Sequence, residues 1–404
     1  MGAIFYFSSE WVATTIFKIE KLGEVIRIFS FGAPFMATML VAATATRGFQ
    51  KMQYFVYIVN IFQPLTKLCL ILIFYWVGLE LYGVATVISV ALGLLLAIIF
   101  YIKGVFPELI GSIRPLFETR KLLKFSIPMF FSALIGFFFM YTDVLMLGYL
   151  RSQSEVGVYR VASQISLFLA MVLSALTSIF APIIAELYDR KEMSRLNSLF
   201  KVVTKWGFNI SIPIFLIMVF LSEDILSAFG PEFIGGWHVL IILALAYFIQ
   251  VSTGDVGWVL AMCGRQKLWS YIMAMIATLN IGLNLLLISK FGITGAAMAT
   301  GISIVGLHLV GLVAVRRLLG LSPFDRRYLK GLAAGLVAST FALALKSLDI
   351  SQDSIVFPLF LSFSVVGVYI LMLFVFRLDE EDKTILGVLR RKALVFWGGN
   401  RYAK

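Results

Sequence analysis

The sequence predicts an all-α protein that crosses a membrane many times, built as two parallel-repeat helix bundles, the first of them incomplete, and a C-terminal helix pair. Three observations predict it. Of the 404 residues, 60% are hydrophobic and only 14% are charged, and the mean hydropathy is +0.96, whereas soluble domains are about 45–50% apolar. Apolar runs long enough to span a bilayer recur along the chain, and two segments of the chain resemble each other.

Apolar runs of about 18 or more residues predict membrane-spanning helices, because about 20 helical residues cover the roughly 30 Å of a bilayer's hydrocarbon core. A shorter run at 3–17 predicts a helix that does not cross comfortably. Prolines inside the runs are tolerated where neighbouring helices satisfy the freed backbone groups. Eleven full spans are predicted, at 27–46, 54–77, 82–102, 125–149, 157–184, 203–221, 237–262, 268–289, 293–315, 329–347 and 355–377.

The distribution of lysine and arginine predicts the orientation of the spans. If the loop around Lys51 is cytoplasmic and the spans alternate from there, 26 of the 34 basic residues lie on the cytoplasmic side, seven lie outside, and Lys67 lies within a span. An error in the helix count would destroy this asymmetry. We therefore expect a multi-pass protein of the cytoplasmic membrane with a cytoplasmic C-terminus, and we attribute the net charge of +12 to its loops.

Two segments of the chain follow one plan. GFQKM at 48–52 and GRQKL at 264–268 share their Gly, Gln and Lys, and each precedes a glycine-bounded turn, VGLELYGVAT at 77–86 and FGITGAAMAT at 291–300. Alone, the pentapeptide match is weak, since Gly-polar-Lys turns are common in short cytoplasmic loops. With the second turn and the matched orientation, it predicts parallel repeats, which in transporters enclose the substrate between the two halves.

The predicted organisation is a truncated N-terminal bundle at 1–113, with one short helix and three full spans, a six-helix bundle at 114–320, and a final helix pair with a cytoplasmic tail at 321–404. The chain has only two cysteines and two histidines, and it lacks the GxxxxGK[ST] loop that cradles phosphates. We therefore expect no metal, no cofactor, no nucleic-acid partner and no enzyme activity. The first basic residue is Lys18, which is not typical of a signal peptide.

The run KFSIPMFFSALIGFFFMYTDVLMLGYLRSQSEVGVYRVASQI at 124–165 resembles the start of the second half of Wzx-type flippases of lipid-linked oligosaccharides. These flippases form part of the multidrug/oligosaccharidyl-lipid/polysaccharide superfamily. The GRQKL turn and FGITGAAMATGIS at 291–303 fit the same pattern. The matching features in the run are Lys124 and Pro128 at the opening of a helix, Asp143 and Gly148 near its outer end, and VGVYRVA at 156–162.

The resemblance extends over about 25–377 and implies two bundles of six helices plus a final pair. It implies that the chain flips a lipid-linked oligosaccharide or polysaccharide precursor by alternating access, as a monomer among membrane lipids. Polysaccharide assembly enzymes are further implied partners, and coupling to H⁺ or Na⁺ stays open. Against that plan the sequence lacks the first two helices and part of the third, as expected of a misassigned start, a decayed gene or a real short form.

Charged side chains inside spans cost about 2.5–3.5 kcal/mol each on insertion scales, so they are functional candidates by default. Lys67, near the middle of its span, either anchors a pyrophosphate or pairs with an acid on a neighbouring helix. Arg160, one turn inside the outer end of its helix, either binds phosphate with its planar guanidinium or contacts lipid headgroups. Tyr159 and Gln164 are within reach of the same helical face, and these four residues are the predicted substrate-binding set.

Two acids are the candidates for ion coupling or gating. Asp143 lies in the outer third of its helix, where it could cap a turn, take a cation or, as the expected choice, pair with Arg160. Asp255 lies in a Ser-Thr-Gly-Asp-Val-Gly stretch where a helix could pack closely or unwind. His308 is expected to be a satisfied core residue rather than a proton relay. The amides expected to join helices by hydrogen bonds are Asn209, Asn280 and Asn284.

Three alternatives to a flippase stay open. A cation-coupled drug antiporter of the same superfamily would centre on acids, whereas Lys67 and Arg160 favour an anionic substrate. A membrane-embedded polysaccharide polymerase or ligase would need a sizeable outer loop with paired catalytic groups, and the longest outer segment, at 222–233, is short. The missing helices leave a non-functional truncated fragment as the third.

Overall fold

The structure, a computed structural model, describes residues 2–48, 52–79, 82–100, 119–347 and 356–376. Within these ranges the chain forms helices and no β-strand, so the predicted all-α class is confirmed. Short π-helical or 3₁₀ segments lie at Val12–Ile16, Val56–Phe62, Pro231–Gly236 and Ala261–Arg265. The α-helices are α1 Gly2–Trp11, α2 Glu20–Gly48, α3 Met52–Phe55, α4 Gln63–Val77, α5 Tyr82–Phe100, α6 Thr119–Leu150, α7 Gln153–Asp189, α8 Met193–Phe220, α9 Ser222–Ser227, α10 Trp237–Thr253, α11 Val256–Leu260, α12 Gln266–Leu319, α13 Tyr328–Ser347 and α14 Val356–Val375.

The predicted spans correspond to these helices. Among the described residues, nine helical segments are long and apolar enough to cross a membrane. One of them, Pro231–Leu319, has 89 residues and is interrupted at Gly254, Gly264 and Gly292, each with positive φ. It therefore comprises three of the eleven predicted spans, and the chain is a multi-pass membrane protein.

The chain divides into two compact units, and the first is Met1–Leu123. Within it, α2 packs against α1 and α5, and α4 packs against α5. α1 and the π-helical Val12–Ile16 form the predicted short helix, which Arg27 joins to α2 by an ion pair with Glu10. The core residues buried between α2, α5 and the segment preceding α4 are Met39, Ala43, Ile58, Val90 and Ala97.

The second unit, Lys124–Lys404, is built around α10. That helix packs against α7, α8 and α12, and the buried Leu240 and Leu243 of α10 belong to the largest apolar core. The final pair, α13 and α14, packs on itself and on α8. Asn209 of α8 accepts a hydrogen bond from Tyr369 of α14 at 3.4 Å, as expected of an amide that joins helices.

The internal repeat has a structural counterpart in each unit. Gly78 ends α4 with φ 77°, and Gly292, 214 residues later, interrupts α12 with φ 58°. At the same offset, Ser89 and Ser303 are both fully buried. In the first unit Gln63 lies 3.4 Å from the Ser89 hydroxyl. The matching pair in the second unit, Asn280 and Ser303, is 3.0 Å apart. Both turns therefore join two helices that an amide and a serine hold together.

Several predicted features lie outside the described residues. They are the centre of the GFQKM turn at 49–51, the loop at 101–118 that contains the predicted boundary after residue 113, and the tail from 377 onward. The final pair, predicted as a separate region from 321, belongs to the second compact unit.

Candidate functional site

A cavity of about 360 Å³ opens between α6, α7, α10 and α12 in the second unit. Apolar side chains form much of its wall, and polar groups converge on it from all four helices. Polar groups are costly to place at membrane depth, and those that occur there usually have a function. A cavity on which several of them converge is therefore the candidate site. The polar and charged residues that line it are Tyr141, Asp143, Arg160, Ser163, Gln164, Tyr247, Gln250, Thr300 and His308.

Asp143 is the most tightly held of these groups. It is 6% exposed, and one carboxylate oxygen accepts hydrogen bonds from the Tyr159 hydroxyl and from Thr300 Oγ1 at 3.2 Å. The other oxygen accepts the backbone N–H of Val144 at 2.7 Å. Helices α6, α7 and α12 thus meet at one carboxylate, and three hydrogen-bond donors offset the free-energy cost of burying it.

Arg160 lies on the same cavity without pairing with that acid. Its guanidinium stands over the Tyr141 ring, 5.7 Å from the centroid, within the range of a cation–π contact. No ion pair joins it to an acid anywhere in the described part of the chain. The expected pair with Asp143 was therefore wrong, because Tyr159 and Thr300 occupy that carboxylate.

Tyr159 does not share the cavity face. It is fully buried and belongs to the apolar core of the second unit, so its place in the predicted substrate-binding set is corrected: it positions Asp143. Gln164 is exposed and lines the cavity one turn along α7 from Arg160, with Ser163 beside it. The cavity face of α7 therefore runs through Arg160 and Gln164.

An apolar cleft adjoins the cavity along α7. It has about 620 Å³ and shares Arg160 and Gln164 with the cavity. Its other walls are formed mainly by apolar side chains, including Phe168, Met171 and Phe229. Together the two spaces offer a cationic and polar end that is continuous with an apolar groove, which suits an amphipathic ligand.

Asp255 occupies the break between α10 and α11. Gly254 has φ 73° there, and Asp255 caps α11 by accepting the N–H of Trp258 at 3.2 Å. Thr177 of α7 donates to its other oxygen at 2.9 Å. The expectation that the helix packs closely or unwinds at this stretch is confirmed, since a Cβ on Gly254 would lie 2.4 Å from the Thr204 hydroxyl.

The remaining sequence candidates lie in different settings. His308 lines the cavity and is buried, and its Nδ1 has no hydrogen-bond partner among the described residues. Asn280 donates to Ser303 at 3.0 Å across the break at Gly292, as expected of an amide that joins helices, whereas Asn284 donates to Asn280 one turn away on the same helical segment. Lys67 lies on α4 in the first unit, half-buried, and stays a predicted substrate contact. No cluster of three or more His, Cys, Asp or Glu side chains that could hold a metal occurs within the described ranges.

Sequence reasoning missed Thr300, Tyr141 and Gln250. Thr300 ends the repeated turn motif FGITGAAMAT, which was a signal that this position is constrained. Gln250 is a lone polar residue in an apolar run, the same kind of signal that singled out Lys67. Tyr141 carried none, because one aromatic residue among many in a hydrophobic helix does not stand out.

Two family models match the chain. The model described as "Polysaccharide biosynthesis protein" matches residues 1–188, and the model described as "MatE" matches residues 128–286. The chain is 29% identical over 192 residues to "Probable low-salt glycan biosynthesis flippase Agl15" of Haloferax volcanii, covering 47% of this chain and 41% of that protein. It is 31% identical over 183 residues to "Probable flippase AglR" of the same organism, covering 44% and 37%.

These matches span about two fifths of the length of either Haloferax protein. A solved structure, "Lipid II flippase MurJ, inward closed conformation", superposes with a TM-score of 0.73 at 16% identity, over 93% of this chain and 80% of that one. At that identity, the likeness shows that the fold is shared.

Proposed function

Because the chain belongs to the multidrug/oligosaccharidyl-lipid/polysaccharide superfamily, we propose that it moves a lipid-linked oligosaccharide across the membrane by alternating access. The observation that carries this proposal is the position of Arg160, at the junction of a polar cavity and an apolar cleft. Its guanidinium forms no ion pair with a described acid. It is thus able to bind an anionic group of the ligand.

The chemistry of a lipid-linked sugar fits this junction. Its phosphate suits the planar donors of an arginine, which bind phosphate oxygens in pairs. Its sugar hydroxyls find donors and acceptors in Gln164, Gln250 and Ser163 along the polar wall. Its polyprenyl tail suits the cleft beside Phe168 and Met171. Lys67 is proposed as a second anchor for the phosphate during the passage.

Asp143 and Asp255 are the proposed ion-coupling or gating groups. Asp143 joins three helices, so a change in its hydrogen bonds would loosen their packing. Asp255 holds α7 to the break between α10 and α11, where backbone rotation costs few helical bonds. The proposed location is the cytoplasmic membrane, with the C-terminus in the cytoplasm. Transport by a monomer, in contact with polysaccharide assembly enzymes, is part of the same proposal.

The test is transport by the purified 404-residue chain in liposomes. A polyprenyl-diphosphate oligosaccharide labelled on its sugar is placed in both leaflets, and dithionite added outside destroys only the label it can reach. The chain is expected to expose the inner-leaflet label faster than empty liposomes do. Rates equal to those of empty liposomes would refute the proposal for this chain.

Two arginine variants locate the activity. Arg160→Gln removes the proposed phosphate contact, worth about 1.5–3 kcal/mol, so transport is expected to fall about tenfold to a hundredfold. Arg195→Gln is the matched control, because Arg195 is exposed, is paired with Glu192 at the start of α8 and does not line the cavity. Equal rates in the two variants would contradict the role of Arg160.

A cation-coupled drug antiporter is the second candidate, favoured by the match to the MatE model and by the buried acid Asp143. The same liposomes, loaded with ethidium under an inward proton or sodium gradient, separate the two functions. Gradient-driven ethidium export that is lost in Asp143→Asn and kept in Arg160→Gln would favour the antiporter. The flippase proposal instead expects Arg160→Gln to slow the movement of the labelled glycolipid.

A further inference from the structure

One buried polar atom beside the candidate cavity takes no part in the phosphate or ion contacts proposed for the chain. His308 lines the cavity and is only 5% exposed, and its Nδ1 has no hydrogen-bond partner among the described residues. An unpaired buried polar atom costs free energy, so most such atoms in folded proteins have partners. An unpaired ring nitrogen on the wall of a cavity therefore points to a ligand.

The other nitrogen of the ring is already engaged. The imidazole donates a hydrogen bond to the backbone carbonyl of Gly254, in the break between α10 and α11. Because Nδ1 is unpaired, Nε2 is the nitrogen that donates. No acid in the described part of the chain forms an ion pair with His308, and a buried charge is costly without one, so the ring is neutral. A neutral imidazole has one N–H and one acceptor nitrogen, which leaves Nδ1 as a hydrogen-bond acceptor.

The neighbours of the ring fix its position. The Trp269 indole stands edge-on to it, with 6.3 Å between the ring centroids. That indole in turn packs against α11, where a Cβ on Gly257 would lie 2.6 Å from it. The imidazole is therefore held between α12 and the break at Gly254. Its Nδ1 is covered in this structure, so a ligand group meets it when the cavity widens around the head during transport.

His308 lies away from the proposed phosphate contact. Thr300 is bonded to Asp143, and the charge of Arg160 acts on the same carboxylate. Along α12, His308 follows Thr300 by eight residues, which is about 12 Å at a rise of 1.5 Å per residue. A ligand with its phosphate at Arg160 would therefore meet His308 with a different part of its head.

We propose that Nδ1 of His308 accepts a hydrogen bond from a hydroxyl of the sugar head and so selects a neutral, hydroxyl-bearing sugar at this end of the cavity. The inference rests on the proposed function, because it requires a glycolipid head in the cavity. An acidic sugar is disfavoured there, since a carboxylate offers no proton to an acceptor nitrogen. A site that binds a hydroxyl rejects a ligand lacking it, because the nitrogen then stays unpaired.

The chain has only two histidines, so the contact can be observed directly by nuclear magnetic resonance. The full chain, labelled at both ring nitrogens of histidine, is placed in neutral-detergent micelles. His238→Gln removes the second signal from an exposed position outside the cavity. The probe is a polyprenyl-diphosphate oligosaccharide, compared with the same lipid after O-methylation of its sugar hydroxyls, and a fluorescent group on each tail reports saturation.

The hydroxyl-bearing lipid is expected to move the Nδ1 resonance of His308 towards that of a hydrogen-bonded acceptor, and the methylated lipid is expected to leave it in place. An unmoved resonance at saturation with the first lipid, or the same movement with both, would overturn the proposal. The resonance needs no change at His308, so it decides the question even if a variant at this position does not fold.

The ratio of the affinities for the two lipids separates contact from structure. His308→Phe removes the acceptor, and its preference for the hydroxyl-bearing lipid is expected to fall about tenfold, the effect of one hydrogen bond to a buried neutral group. His308→Gln, whose amide can both donate to Gly254 and accept from the ligand, is expected to keep most of the preference. Phe139→Leu is the control, because it alters an apolar ring on the same cavity. A merely structural histidine would weaken both lipids alike, so an unchanged ratio in His308→Phe would refute the contact.

Failure of this inference differs from failure of the proposed function. If the wild-type chain moves the labelled glycolipid in liposomes while neither the resonance nor the ratio responds, only the contact with His308 is refuted. If neither lipid binds to the wild-type chain, the inference and the proposed function are refuted together.

Discussion

The hydroxyl of Tyr159 is expected to stabilise the second unit by holding the carboxylate of Asp143. The hydroxyl donates to one oxygen of that carboxylate from a fully buried position. Tyr159→Phe removes this single oxygen atom and leaves a ring of the same shape, so packing changes little. The loss of stability in this variant therefore measures one hydrogen bond that joins α6 to α7.

The surroundings set the expected size of the effect. Asp143 is 6% exposed, so water does not replace the lost donor. Interhelical hydrogen bonds in membranes average about 0.6 kcal/mol and reach about 1.7 kcal/mol, while bonds to charged groups contribute about 1.5–3 kcal/mol. Thr300 still donates to the same oxygen at 3.2 Å, which limits the cost. We therefore expect a loss of about 1.5 kcal/mol.

The assay is a double-mutant cycle, read by detergent-induced unfolding of the full chain in mixed micelles. Its four members are wild type, Tyr159→Phe, Asp143→Leu and the double variant. Once Asp143 is gone, Tyr159→Phe is expected to cost nothing further, so the cycle isolates the pair. Tyr149→Phe is the matched control, because Tyr149 lies on α6 and is 62% exposed.

Two results would refute this reasoning. A coupling energy below about 0.5 kcal/mol would lie within the additivity of independent sites and would show that the hydroxyl does not hold the carboxylate. An equal cost for Tyr149→Phe would show that the method responds to any lost tyrosine hydroxyl. The first result would also remove the contact of Asp143 with α7 from the bonds that tie the three helices together.

Three further predictions concern the helix breaks and the buried amides. Gly292→Ala is expected to lower the free energy of unfolding by about 2 kcal/mol, because the φ of 58° there disfavours a side chain. Gly282→Ala, inside the same helix, is expected to be neutral or to stabilise the chain by about 0.5 kcal/mol. Equal unfolding midpoints of the two variants would contradict this expectation. Asp255→Ala is expected to lower the free energy of unfolding by about 1 kcal/mol because α11 loses its N-terminal cap, and Asp255→Asn is expected to be close to wild type. Faster hydrogen exchange of the α11 amides in Asp255→Ala would show that the start of this helix frays. Asn280→Leu is expected to lower the free energy of unfolding by about 0.6 kcal/mol when Ser303 is present and not to change it in the Ser303→Ala background. If the losses of the two single variants add in the double variant, the two side chains are not coupled.

The sequence predicts the helix breaks well because glycine has a local physical signature. Gly78 and Gly292 adopt positive φ, which other residues avoid, so each position reads as a turn without knowledge of the tertiary structure. Asp255 is comparable: an acid after a glycine in an apolar run is typical of a helix cap. In each case a few neighbouring residues determine the conformation.

The rotation of each helix about its axis was less predictable. In a soluble helix the polar stripe marks the outward face, but α7 is apolar on most sides, so its sequence did not show which face meets the core. Tyr159 and Arg160 are neighbours in sequence and point in directions about 100° apart. The sequence predicted that both residues contact the substrate, whereas only Arg160 lines the cavity. That choice depends on α6 and α12, whose contacts no local pattern contains.

The repeat shows where the chemistry of the second unit comes from. Both copies have a glycine in the left-handed conformation and a buried serine bonded to an amide. These shared features hold two helices together and do not depend on which ligand is bound. His308 stands where the first copy has Leu94, at the common offset of 214 residues. Thr300 stands where the first copy has Thr86, but its acceptor, Asp143, belongs to α6, outside the repeated pair. The cavity is therefore polar where the copies differ or where a helix from outside the pair joins them, and variants at these positions should alter transport with less effect on folding than variants at the shared ones.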